Sequence, residues 1–217
     1  MGKIIKKFKT REEAYWKTLE DIRGEMLEGA VVLSLSPEGD FYGRKLANQF
    51  NLPFDRLIIE RLYSHINPET ILGAISETRD YILIEELVES FQLSEDYLFS
   101  QLEKSYGEKI LTKIRNWRGH PLQLQNKKVV LVDEASETGL RAMTGIKSCY
   151  NAGVENISLF LSLLSVESRE LMEHLVDNLY YGMVIEDFIT GYHYFEEEGE
   201  EMEQWKNGDR NLLKLLQ

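Results

Sequence analysis

The sequence predicts an α/β protein whose mostly parallel sheet is flanked by helices. Three observations carry this. Apolar runs of strand length alternate with longer segments in which apolar residues recur at three-to-four spacing. The loops after the first and third strong strand runs are polar and lead into helices, as in sheets that bind ligands beyond their carboxyl ends. Finally, 217 residues with 43% hydrophobic and 29% charged side chains suit one domain with a sizeable core, so residues 1–217 are read as a single unit.

Thr10, Glu12 and Glu13 precede Tyr15, Leu19, Ile22 and Met26, a capped amphipathic helix ending near Gly29. Ala30 to Leu35 reads as a buried strand, Ser36 to Asp40 as a tight loop, and Phe41 to Phe50 as a short helix. Phe54 to Glu60 is the next strand, and Ile71 to Ser76 with Tyr81 to Ile84 a hairpin-like excursion. From Ser94, the stripe Leu98, Leu102, Tyr106, Ile110, Ile114 and Trp117 predicts one long helix stopping near Gly119-His120-Pro121. Lys128 to Val132 is a third strong strand, Leu140 to Tyr150 a helix stopped by Gly153, and Ile157 to Leu163 a fourth strand. Val166 to Leu179 is a helix with Leu171, Leu175 and Val176 inward, and Gly182 to Ile185 a final strand.

Composition excludes several function classes. A formal net charge of -12 repels bare nucleic acid, so no nucleic-acid partner is expected, and a phosphorylated ligand must bring a cation or find a local positive pocket. No apolar run reaches the roughly 20 residues of a membrane span, and no signal-peptide pattern follows the basic start, so no membrane partner and a cytoplasmic location are expected. The single Cys149 excludes a disulfide framework and reads as a buried small residue. His65, His120, His174 and His193 lack metal-ligand spacing, and the phosphate-loop and dinucleotide glycine motifs are absent. Tyr180, Tyr181, Phe188, Tyr192, Tyr194 and Phe195 read as packing residues, with a base-stacking platform as the alternative. Glu196 to Glu203 reads as solvated surface, and Leu212, Leu213, Leu215 and Leu216 as a patch that docks on the body or on a second subunit of a homodimer.

The segment from Val129 to Gly139, a hydrophobic strand followed by Asp133-Glu134 and then Thr138-Gly139 opening a helix, resembles the ribose-phosphate loop of type I phosphoribosyltransferases. Arg61-Leu62, Asn67-Pro68-Glu69 and Gly73-Ala74-Ile75 are similar to a series in a bacterial phosphoribosyltransferase-like subfamily, and the likeness spans about residues 10–185. Residues 186–217 then form an acidic and aromatic extension. The resemblance implies the type I fold with a small hood over the nucleobase, built from Tyr81 to Leu93 or the C-terminal aromatic region. It implies Mg²⁺-dependent transfer of ribose 5-phosphate from phosphoribosyl pyrophosphate to a nitrogenous acceptor. Asp133 and Glu134 would hold the ribose hydroxyls beside developing positive charge and reach the metal indirectly, through ribose or water. Ala135, Ser136, Thr138, Gly139, Leu140 and Arg141 would hold the 5-phosphate.

Two departures shape the expectation. Where the family carries Pro-Arg-Gly-Gly for pyrophosphate, this chain has Pro37-Glu38-Gly39-Asp40. A carboxylate about 4 Å from a phosphate charge costs about 4 kcal/mol at an effective dielectric near 20, so pyrophosphate binding is expected to be weak unless Mg²⁺ bridges or Glu38 turns outward. Glu137 is either a base acting on the acceptor or a helix-start residue facing water; Arg141 either folds back on the phosphate or makes a salt bridge. Arg61 either reaches the pyrophosphate or pairs with Glu60 or Glu69, and Arg44 partly offsets Glu38 and Asp40 or faces solvent. The alternative to an enzyme is an inactive homologue that binds a nucleotide or sugar phosphate or serves as an interaction subunit.

Overall fold

The computed structural model describes residues 7–196. The acidic run beyond Glu196 and the leucines from Leu212 to Leu216 lie outside the described residues. In chain order the elements are α1 (Arg11–Leu19), a 3₁₀ turn (Gly24–Leu27), β1 (Ala30–Ser34), α2 (Gly39–Phe50), β2 (Phe54–Arg56), β3 (Ile59–Tyr63), β4 (Ile71–Ser76) and β5 (Tyr81–Leu83). Then come α3 (Glu85–Ser90), α4 (Glu95–Lys104), a π-helical segment (Ser105–Ile110), α5 (Leu111–Trp117), β6 (Lys128–Ser136), α6 (Leu140–Asn151), β7 (Asn156–Ser165), α7 (Val166–Met172), β8 (Asn178–Ile185) and a 3₁₀ turn (Gly191–Tyr194).

Among the described residues, five strands form an all-parallel sheet in the order β2-β1-β6-β7-β8. Alternation along these strands sends side chains to two cores. Val130, Val132 and Phe160 meet Tyr15 and Tyr42 from α1 and α2 on one face. Val129, Leu131, Leu159 and Leu161 meet Ala142, Ile146 and Cys149 from α6 on the other. The expected α/β sheet covered on both faces is thus the observed fold. Cys149 is fully buried, and burial pushes its thiol up to about 12, so it is inert packing. No helix among the described residues is long and apolar enough to cross a membrane.

The second sheet, β3-β4-β5, is antiparallel and carries its own core of Ile58, Leu62, Ile75, Leu102, Ile110 and Ile114. Here the sequence reading needs correction. Phe54 to Glu60 is not one strand. The chain breaks between β2 and β3 because Leu57 packs into the body while Ile58 packs into the second core. The long helix from Ser94 keeps its inward stripe, but a π-helical segment separates α4 from α5.

Near the ends, helices are shorter and strands longer than periodicity suggested. Thr10 caps α1 through the amide of Glu13, yet α1 stops at Leu19, and Met26 is exposed on the 3₁₀ turn. Helix α7 ends at Met172, whose buried side chain holds the inward position, so Leu171 and Leu175 are exposed instead of inward. Strand β8 then begins at Asn178, four residues before the expected start at Gly182.

Candidate functional site

The acids of the predicted ribose loop are not in a loop. Strand β6 continues through Asp133, Glu134, Ala135 and Ser136, in register with β7 as far as Ser136 opposite Leu164. Both carboxylates are buried, and both are engaged. Asp133 accepts from the Ser36 hydroxyl and the Glu134 amide on Oδ1, and from Arg141 Nη1 at 2.9 Å on Oδ2. Glu134 is held bidentately by Arg11, with Nε 2.5 Å from Oε2 and Nη2 3.2 Å from Oε1, while the Tyr42 hydroxyl lies 3.4 Å from Oε2. Burial pushes the Glu134 carboxyl above its usual range, against the pull of Arg11. Burial also drives the Tyr42 phenol well up, so it remains a donor.

The residues assigned to the phosphate form a turn at a helix start. Glu137 and Thr138 are exposed, Gly139 takes a left-handed φ of 76°, and the twelve-residue α6 starts at Leu140. The Glu137 carbonyl accepts two hydroxyls, from Ser165 at 2.7 Å and Ser168 at 2.8 Å. In a planar trans peptide the Thr138 N–H therefore points the opposite way. Among the described residues, the amides of Glu137, Thr138 and Gly139 meet no acceptor within the chain, and that of Leu140 meets only the Thr138 hydroxyl at 3.4 Å. The turn before α6 is thus pinned through the Glu137 carbonyl and leaves main-chain donors without an acceptor at a helix start, where N–H groups characteristically lack intrahelical partners.

The segment expected to meet pyrophosphate leads directly into α2. Ser36 Oγ accepts from the Gly39 amide at 2.9 Å while donating to Asp133, so Pro37 and Glu38 already belong to a capped helix start. A Cβ on Gly39 would sit 2.8 Å from the Val132 carbonyl oxygen and 3.0 Å from Asp133 Cα. Gly39 therefore serves close packing of α2 on β6, not a flexible backbone for a ligand. Gly39→Ala is expected to lose about 1–3 kcal/mol of stability by overpacking, read as a lower urea midpoint; an unchanged midpoint would show the contact relaxes freely.

Asp40 is buried in an ion pair. It is 1% exposed, paired with Arg56 and 3.9 Å from Arg44, so its charge is neutralised within the chain. Arg44 thus does offset Asp40, while stacking on Phe54. Glu38 is half-buried, and its negative charge is felt weakly at both Arg11 and Glu134. Arg61 is exposed on β3 in the second sheet, opposite Ala74, while Glu60 pairs with Lys113.

No protein-family model and no curated protein matches the chain. Solved structures do. TT1426 from Thermus thermophilus is 22% identical with a TM-score of 0.70, over 89% of this chain and 92% of that one. A hypothetical protein from Neisseria gonorrhoeae with bound ppGpp is 11% identical with a TM-score of 0.51, over 95% and 97%. A purine phosphoribosyltransferase from Pyrococcus horikoshii Ot3 is 12% identical with a TM-score of 0.44, over 82% and 90%. The first two share this fold.

Sequence reasoning missed Arg11, Ser165, Ser168 and Gly191. A Cβ on Gly191 would lie 3.3 Å from the Ala135 Cβ and 3.9 Å from Glu134 Oε1, so the C-terminal 3₁₀ turn comes against Glu134. Tyr180 and Tyr194 are buried in the core, as packing predicted, whereas Tyr181 and Tyr192 are exposed. The carboxylate oxygens of Asp133 and Glu134 are all taken, and among the described residues no three His, Cys, Asp or Glu side chains gather to hold a metal. These residues do not fit a resident Mg²⁺.

Proposed function

We propose that this is a phosphoribosyltransferase-like protein that binds a nucleotide or sugar 5-phosphate through the main-chain amides of residues 137–140, without efficient transfer chemistry. The observation carrying this reading is the cradle: unpaired amides of Glu137, Thr138 and Gly139 ahead of α6, fixed from behind by Ser165 and Ser168 on the Glu137 carbonyl. Main-chain donors and the helix dipole bind a phosphate dianion without a net positive surface, which reconciles such a ligand with a charge of -12.

The paired acids argue against transfer. Freeing Glu134 for a sugar means breaking a buried bidentate ion pair, which costs about 3–5 kcal/mol. Two hydroxyls of a sugar diol, returning about 1.5–3 kcal/mol each, do little more than offset that cost, so the exchange leaves little net binding for the sugar. With the negative charge of Glu38 reaching Glu134 and Asp40 tied to Arg56, the Pro37 to Asp40 segment offers pyrophosphate no cation. Mg²⁺ enters this proposal only as part of the phosphoribosyl pyrophosphate donor.

A second reading is transfer itself, with Asp133 and Glu134 stabilising positive charge on the ribose and Glu137 accepting a proton from the acceptor. One observation favours it: the Glu137 side chain is exposed beside the amides that would hold the phosphate. Calorimetric titration with ribose 5-phosphate, ppGpp and Mg²⁺–phosphoribosyl pyrophosphate, with ³¹P NMR for released pyrophosphate in the presence of a nucleobase panel, separates the two. The binding reading expects saturable uptake of ribose 5-phosphate without pyrophosphate release. Catalytic release would establish transfer, and no binding of any ligand at millimolar concentration would end both.

A further inference from the structure

We propose that Arg11 sets sugar specificity: by occupying Glu134 it makes the site indifferent to the sugar 2′-hydroxyl, so ribose and deoxyribose 5-phosphates bind alike. This rests on the phosphate-cradle reading above.

Arg11 opens α1, and Glu134 lies 123 residues later on β6. The guanidinium takes both carboxylate oxygens, and both side chains are largely out of water, at 18% and 4% exposure. The pair is fixed from several sides. The Thr10 hydroxyl caps α1 through Glu13, and the chain before it is strapped to the C-terminal segment. The Phe8 amide donates to the Tyr194 carbonyl at 2.9 Å, and the Glu196 amide donates to the Phe8 carbonyl at 2.8 Å. That segment brings Gly191 over Glu134 and Ala135, and Tyr42 reaches Glu134 from α2.

A vicinal diol is recognised by a carboxylate because two hydroxyls donate to its two oxygens. Here those oxygens already accept from a forked donor that matches them better than two hydroxyls can, since guanidinium and carboxylate are both planar and charged. Asp133 is in the same state, held by Ser36, the Glu134 amide and Arg141. A sugar seated beside the cradle therefore finds few free acceptors for its hydroxyls, and removing the 2′-hydroxyl leaves little unpaired. Recognition is left to the phosphate.

The test compares ribose 5-phosphate with 2-deoxyribose 5-phosphate by calorimetry on the full chain. Wild type should bind both within about threefold. Arg11→Ala, which releases Glu134, should prefer ribose by about tenfold or more, the scale of one hydrogen bond to a charged group. The double variant R11A/E134Q should lose that preference, an outcome that a merely structural role for Arg11 does not produce. Should Arg11→Ala fail to fold by thermal melt, Arg11→Lys, which keeps the charge but frees one oxygen, decides: it should show a measurable ribose preference. A tenfold ribose preference in wild type, or an unaltered ratio in the folded Arg11 variant, overturns the proposal. If neither sugar phosphate binds wild type, the cradle reading falls as well; if both bind and ribose is preferred, the Arg11 proposal alone fails.

Discussion

Arg118→Ala is expected to lower stability by about 3–5 kcal/mol, with a fall in Tm on the order of 10 °C for a domain of this size. Arg118 follows α5 and is 6% exposed in its side chain. It pairs with Glu77, whose side chain is 1% exposed, and reaches Asp55 Oδ1 at 3.4 Å, the Arg56 carbonyl at 3.0 Å and the His120 carbonyl at 2.7 Å. Glu77 in turn accepts the Ile58 amide at 2.9 Å, at the point where the chain leaves the parallel sheet for the antiparallel one. Truncating Arg118 leaves the Glu77 carboxylate buried without its counter-charge, and that desolvation, more than the lost bond, sets the size of the effect. Replacing both partners with apolar residues, as in R118M/E77L, should recover much of the loss. Guanidinium melts of the single and double variants check this; a single-variant loss below about 1 kcal/mol would mean that water reaches Glu77 in solution.

The network bears on the site as well as on stability. From Asp55 it continues through the Trp117 indole, whose Nε1 lies 2.7 Å from Asp55 Oδ1, to Arg56 stacked 4.0 Å from the Trp117 ring centroid, and from Arg56 to Asp40 on the first turn of α2. One residue earlier, Gly39 presses on β6 and is capped by Ser36, which holds Asp133. The second sheet is thus tied by charge to the same helix start that a pyrophosphate-binding loop would need to keep loose. Asp40 is an anion because its task is structural, to receive Arg56.

This explains what the sequence could and could not disclose. Strands β1, β6 and β7 and helices α2 and α6 were legible because each is a continuous run whose periodicity is set by burial on one or two faces. The turn before α6 was legible because its parts are local: a left-handed glycine and a threonine two residues before the helix, shortly after a strongly apolar strand. The break between Leu57 and Ile58 was not, since both residues are buried and apolar, and only the three-dimensional course sends them to different cores. Nor was the meaning of Asp133 and Glu134. Their type and position fitted a sugar diol, but their state depends on Arg11 and Arg141, and nothing in the local pattern marks a partner 123 residues away. Charge pairing within a buried site is a tertiary property, so a local motif predicts where a carboxylate is and not whether it is free.

Thr138→Asp is expected to move binding and stability in opposite directions. Thr138 is exposed, and its hydroxyl lies 3.4 Å from the Leu140 amide, a weak version of a helix cap. An aspartate there accepts from the same amides more strongly and places a negative charge at the positive end of α6, which stabilises by roughly 0.5–1 kcal/mol. The same carboxylate competes with a phosphate for those donors and repels it. At about 4 Å and an effective dielectric near 20, the repulsion is about 4 kcal/mol per charge pair, close to three decades of affinity. Thr138→Asn separates the two effects, because it caps without charge and should weaken ribose 5-phosphate binding by roughly tenfold at most, the scale of one neutral hydrogen bond. Thermal melts and calorimetry on the pair therefore decide where the ligand sits. A Thr138→Asp protein that is more stable and no longer binds has its phosphate on the α6 amides. One that is more stable and binds as wild type does carries its ligand elsewhere, and the cradle is then only a well-made helix start.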